Sequence, residues 1–125
     1  TVMFSDVLQP QVANAWGGPI GGGIYGNMGG ALFSTTTTPN STAPDRPNGP
    51  CPNEPTTYKA PCNSWSNHGG ASNPNGYVAA RSQHNGGVNV AMGAGKVTTF
   101  SHNVDLLVWR SLGTREGGEA TTARE

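Results

Sequence analysis

The chain has 125 residues, of which 34% are hydrophobic and only 11% are charged. We expect one domain over residues 1–125, able to bury roughly two-thirds of its unfolded surface. Seven Lys and Arg balance seven Asp and Glu, so the chain has no basic stripe for nucleic acid. No run of about 18 apolar residues is present to form a membrane span. A weakly charged surface opposes self-association only slightly.

The N-terminal third predicts two strands. Residues 1–8 (TVMFSDVL) are rich in Val, Met and Phe, and residues 12–16 extend or restart this strand. Residues 31–38 (ALFSTTTT) predict a second strand, because runs of Thr favour extended backbone. Residues 39–76 then form a long irregular loop, and loops of this length usually serve a function or an interaction.

Two cysteines lie within this loop. Cys51 and Cys62 have ten residues between them, with neither a Cys-x-x-Cys spacing nor a His at zinc-finger distance. A disulfide that closes the loop is therefore favoured over a redox or metal-binding pair. Closing a loop of this size is worth about 2–3 kcal/mol in the chain-entropy model. A disulfide also predicts an oxidising location, extracellular or at the cell surface.

The C-terminal third predicts a strand, a hairpin and a helix. Residues 77–81 predict a short strand. Val88, Val90 and Met92 then alternate with Asn89 and Ala91, which is the period of a half-buried strand. Residues 93–95 (Gly-Ala-Gly) supply a flexible turn, after which residues 96–100 return as the second strand of the hairpin.

A short amphipathic helix is predicted after the hairpin. Asp105 is a suitable N-cap for a helix over Leu106–Leu112, and Gly113 follows it as the C′ residue. The apolar residues recur at helical spacing: Leu106, Trp109 and Leu112. About two turns are too short to be stable alone, so we expect Trp109 to anchor the helix on the hairpin.

No motif in the chain points to catalysis. Residues 21–26 (GGGIYG) match a dinucleotide-binding pattern formally, but they follow no apolar strand and open no helix. His68, His84 and His102 are scattered, which favours ordinary turn or strand histidines over a joint metal site. Glu116 and Glu119 are calcium candidates, although a solvated or salt-bridged tail is the simpler interpretation. We therefore expect no enzyme activity, no cofactor and no metal.

The sequence also contains candidate glycosylation sites. Asn40-Ser41-Thr42 is an N-x-S/T sequon, and Pro and Thr are dense around it. The candidate attachment residues are Asn40, Thr35, Thr36, Thr37 and Thr38.

Residues 80–119 resemble the C-terminal signature of a bacterial family of prepilin-type proteins, which is marked by His, nine residues and then Asp-Gly. The segments that carry the resemblance are Ala80-Arg81-Ser82-Gln83-His84, Gly86-Gly87-Val88-Asn89-Val90, Val104-Asp105, Trp109-Arg110-Ser111-Leu112 and Gly117-Gly118-Glu119. The Asp-Gly position is occupied by Ala94 and Gly95. Asp bonds nearby backbone N–H groups and tolerates left-handed backbone, whereas Ala does neither well, so we expect an altered turn.

The resemblance continues upstream in the same order, through Ser5-Asp6-Val7-Leu8-Gln9, Thr38-Pro39-Asn40-Ser41, Pro44-Asp45, Cys51-Pro52-Asn53 and Pro61-Cys62. It implies a mainly β (α+β) pilin-like head: an antiparallel sheet with a long disulfide-closed loop and one short C-terminal helix. The family's N-terminal apolar helix, which packs pilus cores, has no match in this sequence. We therefore expect association through strand edges and the long loop.

Two functions follow from these features. The first is a structural subunit of an extracellular pilus-like filament or surface assembly, whose partners are copies of itself, with an attached glycan as an option and no nucleic acid or membrane span. The alternative is a pseudopilin-type secreted binding module that contacts cargo or glycan through Tyr58 and Trp65.

Overall fold

A computed structural model describes residues 1–8, 33–47, 60–63 and 76–114. Its regular elements are β1 (Val2–Ser5), β2 (Gly87–Met92), β3 (Val97–Ser101) and α1 (Leu106–Leu112). The three strands form one antiparallel sheet in the order β1-β2-β3. This arrangement confirms a mainly β fold with one short C-terminal helix.

The predicted hairpin is confirmed as β2 and β3. Val88 and Val90 are buried while Asn89 between them is exposed, as the alternation requires. Val90 lies opposite Thr98 in the register. The three-residue turn closes with Met92 N donating to Lys96 O at 2.8 Å and Gly95 N donating to Met92 O at 2.9 Å.

One apolar core joins the sheet to the helix. Its buried members are Val2, Ala80, Val88, Val90, Phe100 and Trp109. The Phe100 and Trp109 rings lie 5.5 Å apart with an interplanar angle of 53°, a tilted arrangement that aromatic pairs favour. Trp109 is fully buried, and its Nε1 donates to the carbonyl of Thr37 at 2.9 Å. The predicted anchoring role of Trp109 is therefore confirmed.

The helix forms over the predicted residues, and its two ends are fixed in different ways. Asp105 Oδ1 accepts from Leu107 N at 2.9 Å and from Val108 N at 3.1 Å, so it is an N-cap. Gly113 follows the helix with φ −80°, which is ordinary right-handed backbone. A glycine is required there by close packing instead, because a Cβ on Gly113 would overlap the side chain of Thr35.

The strand predicted over residues 31–38 is wrong for residues 33–38, which form bends without a strand partner. Their carbonyl groups bind side chains of α1. Thr36 O accepts from Arg110 Nε at 3.0 Å and from Arg110 Nη2 at 2.9 Å, and Thr37 O accepts from Trp109. This Thr-rich segment therefore packs against α1 through its carbonyl groups and does not pair as a strand.

The strand predicted over residues 77–81 is also wrong. Only an isolated bridge between Arg46 and Tyr77 forms there. The following backbone groups bind several different segments: Val78 O accepts from Ser34 N at 2.8 Å, and Arg81 N donates to Asp6 O at 3.0 Å. That contact also shows why β1 ends at Ser5, three residues before the end of the predicted strand.

The predicted continuation over residues 12–16 lies outside the described residues. No helix that the structure describes is long and apolar enough to cross a bilayer.

Candidate functional site

Arg81 and Asp45 form a buried ion pair. Arg81 Nε lies 2.8 Å from Asp45 Oδ2, and Arg81 Nη2 lies 2.9 Å from Asp45 Oδ1. The two side chains are 2% and 1% exposed. The geometry is the two-pronged contact that a guanidinium makes with a carboxylate.

Both partners of this pair also bind the backbone. Arg81 donates to Ser41 O at 2.6 Å and to Ala43 O at 3.1 Å, while Asp45 Oδ1 accepts from Ala79 N at 3.0 Å. The pair therefore joins residues 41–45 to residues 79–81. Charged groups satisfied in this way hold a scaffold in place, and their buried position keeps them away from a substrate.

The sequence did not reveal this pairing. Asp45 and Arg81 both lie in segments that carry the family resemblance, but 36 residues separate them. A single sequence holds no signal that pairs residues so far apart.

Glycine is needed at positions 86 and 87 for two different structural reasons. Gly86 has φ +86°, a left-handed conformation that disfavours other residues. Gly87 approaches the paired strand so closely that a Cβ would overlap the carbonyl oxygen of Phe100. Gly87 O also accepts from Ser82 Oγ at 2.6 Å. These glycines thus fix the entry into β2.

Asn40, the first residue of the sequon, contacts the same region at the start of β2. Its backbone has φ +53°, its Oδ1 accepts from Ser82 N at 2.9 Å, and its Nδ2 donates to Gly87 O at 3.4 Å. Nδ2 is the atom that an N-linked glycan would occupy. Among the Thr candidates, Thr36 is exposed, whereas Thr37 Oγ1 is buried. Glycosylation stays a prediction.

Two further signature residues lie at the surface. His84 is 59% exposed, and its Nε2 lies 3.6 Å from Asp6 Oδ2. Asn89 donates its backbone N–H to the same Asp6 oxygen at 2.8 Å, and its Oδ1 accepts from Thr99 Oγ1 at 3.0 Å. Asp6 therefore tethers the end of β1 to β2. No group of three or more potential metal ligands occurs among the described residues.

The structure explains how Ala94 fits the hairpin turn. Gly95 takes the left-handed position with φ +87°, whereas Ala94 does not have a positive φ. A turn in which only the third residue is left-handed suits a three-residue hairpin loop and accepts Ala before the Gly. Ala94 therefore fits this turn without backbone strain.

Among the described residues, β1 and β3 are the two edge strands of the sheet, with β2 between them. Neither edge strand contains a charged residue, since β1 reads VMFS and β3 reads VTTFS. Their exposed apolar side chains are Met3, Phe4 and Val97. Natural edge strands are usually protected from pairing by charges, prolines or covering segments.

A groove of about 450 Å³ lies beside β1. Its walls are β1 itself and residues 33–36, and Gly113 lies at the same groove. Phe33, Ser34 and Thr35 are among the residues that line it, and the hydroxyl of Ser34 already donates to Val78 O at 3.4 Å. The lining residues include no charged side chain.

Several predicted residues lie outside the described ranges: Cys51, Tyr58, Trp65, His68, Glu116, Gly117, Gly118 and Glu119. Cys62 is described and is not a free cysteine. The pairing of Cys51 with Cys62 stays a prediction, as does the calcium alternative for Glu116 and Glu119.

Residues 1–107 match the protein family described as "Protein of unknown function (DUF1559)", and the chain therefore belongs to that family. No curated protein and no solved structure matches the chain. The family description assigns no activity.

Proposed function

We propose that this protein is a structural, non-catalytic subunit of an extracellular pilus-like filament or surface assembly, built from copies of itself. The observation that carries the proposal is the pair of uncharged sheet edges. Both β1 and β3 lack the charges that normally prevent edge-to-edge pairing. With 7 basic and 7 acidic residues in the chain, net charge also does little to keep copies apart.

The interior of the head supports a structural role. The Asp45–Arg81 pair holds residues 41–45 against residues 79–81, and the side chains of Asn40 and Ser82 hold their loops against Gly87 at the start of β2. A subunit of an assembly needs such rigidity, because each copy must present the same surface to its neighbours. A disulfide between Cys51 and Cys62 belongs to the proposal and would suit an extracellular location.

The prepilin-type assignment is also part of the proposal. It rests on the order of the signature residues, from His84 through Gly86 and Gly87 to Trp109. Their structural roles are those expected of a conformational signature: a positive φ, a close backbone approach and a core anchor.

The groove beside β1 favours the alternative, a pseudopilin-type secreted binding module. Its lining combines Phe4 and Phe33 with Ser and Thr residues and has no charged residue, a composition that suits a sugar or an extended peptide. A monomer that binds one ligand in this groove would need no filament to function.

Electron microscopy of the purified protein tests the proposed function. Ordered fibres that grow with protein concentration are the expected result, because weak contacts multiply along an assembly. A protein that stays monomeric in sedimentation at high concentration, and shows no fibres, contradicts the proposal. A glycan array and a peptide library on the same sample would then test the alternative.

A further inference from the structure

The outer edge of β3 has a defined set of outward-facing backbone groups. Met92 N donates to Lys96 O and His102 N donates to Gly86 O, which fixes the phase of the β2–β3 ladder. In an antiparallel pair, residues alternate between facing the partner and facing away. Thr98 and Phe100 therefore face β2, while Val97 and Thr99 direct their N–H and C=O groups to the outer edge.

As far as the described residues go, these outward groups are available for pairing. Within the described part of the chain, no hydrogen bond engages the backbone of Val97 or Thr99. The available edge ends at Ser101, whose carbonyl already accepts from Val104 N at 3.1 Å. Val97 is 70% exposed, so an apolar side chain stands beside the unpaired backbone groups.

We propose that β3 pairs with β3 of a second copy, antiparallel and about a two-fold axis through Thr98. This inference rests on the proposed function, because it names the contact by which the subunits associate. In this register Val97 lies opposite Thr99 of the second copy, and Thr99 lies opposite its Val97. Val97 and Thr99 of the two copies together contribute four N–H groups and four C=O groups. These form four hydrogen bonds, which join the two three-stranded sheets into one six-stranded sheet.

Two features of the chain favour a second copy over another partner. The edge is self-complementary, since the same two residues provide all the donors and acceptors on both sides. The nearest charge is Lys96, which flanks the strand. In the proposed register the two Lys96 residues are about 13 Å apart along the strands at about 3.3 Å per residue. That separation exceeds the screening length of about 8 Å at physiological salt, so the repulsion is small.

The contact is short, and its size fits an assembly of many copies. A few paired residues bury less than the roughly 1,200 Å² typical of a stable isolated pair. The β1 groove of each copy lies at the opposite edge of its sheet. A pair joined at β3 therefore presents both grooves outward for further contacts.

A matched pair of lysine substitutions tests the edge. Val97→Lys places a charge on β3, and Leu107→Lys replaces an equally exposed apolar residue, 73% against 70%, on the outer face of α1. By sedimentation we expect Val97→Lys to weaken self-association at least about tenfold, with Leu107→Lys unchanged. If wild type associates and both variants associate equally well, the β3 contact is wrong while the proposed function stands. If wild type is monomeric, the proposed function itself fails.

Cysteine cross-linking tests the register. Thr98→Cys places two thiols directly opposite each other, where paired Cα atoms lie about 4.5 Å apart. Thr99→Cys offsets them by two residues, beyond the roughly 7 Å that a disulfide spans. Mild oxidation should therefore give a covalent dimer of the Thr98→Cys variant only. A dimer of the Thr99→Cys variant only, or of neither variant, overturns the proposed pairing.

Discussion

Replacing Asp45 with Ala should strongly destabilise the described structure. The change leaves the Arg81 guanidinium buried at 2% exposure without its counter-ion. Breaking a buried pair by removing one partner costs about 3–5 kcal/mol. The Ala79 N–H loses its acceptor as well, and a buried donor without a partner costs about 1–3 kcal/mol. Against a total stability of about 5–15 kcal/mol, Asp45→Ala should leave a large fraction of the protein unfolded.

The assay is urea unfolding followed by tryptophan fluorescence, and it has a matched control. Asp105→Ala removes another Asp that accepts backbone hydrogen bonds, but Asp105 is exposed. Losing such a helix cap costs about 1 kcal/mol. The reasoning is refuted if Asp45→Ala lowers the free energy of unfolding no more than Asp105→Ala does. A double variant, Asp45→Leu with Arg81→Met, should be more stable than Asp45→Ala, because neither residue then leaves a buried charge unpaired.

Three further predictions concern the remaining structural devices. Gly87→Ala should lower the melting temperature much more than Gly95→Ala. A Cβ on residue 87 forces β2 and β3 apart, whereas a Cβ on residue 95 enters open space and costs only backbone strain. Equal effects in thermal unfolding would contradict this. Trp109→Phe should cost more than about 1 kcal/mol by urea unfolding, since it removes both buried surface and the indole hydrogen bond; an unchanged midpoint would argue against the anchoring role. Alkylation under denaturing, non-reducing conditions should add no label at Cys51 or Cys62 by intact mass, and two labels after reduction; labelling without reduction would rule out the disulfide.

The elements that the sequence predicted are those with local signals. The hairpin follows from the alternation of Val88 and Val90 and from the glycines of its turn. The helix follows from Asp105 and the spacing of Trp109 between two Leu residues. In each case the residues that specify the element lie within a few positions of one another, so one sequence suffices to read them.

The two wrong strand predictions lie in segments whose backbone conformation is set by contacts with residues far away in the sequence. Thr36 and Thr37 have strand propensity, but their carbonyls bind Arg110 and Trp109 across 74 and 72 residues. The Asp45–Arg81 pair is equally non-local. Propensity describes what a segment favours alone, and here long-range hydrogen bonds override it.

The hydroxyl of Thr1 donates to the carbonyl of Thr114 at 2.8 Å, so the described fold is closed by residues 113 positions apart. The first strand likewise reaches its partner only across 84 residues, where Ser5 Oγ meets Asn89 O. Such topology makes the pairing of β1 wait for the distant hairpin, because the entropy of closing a long loop must be overcome before the sheet gains its contacts. We therefore expect slow, late folding, with the N-terminal strand unpaired until the hairpin has emerged.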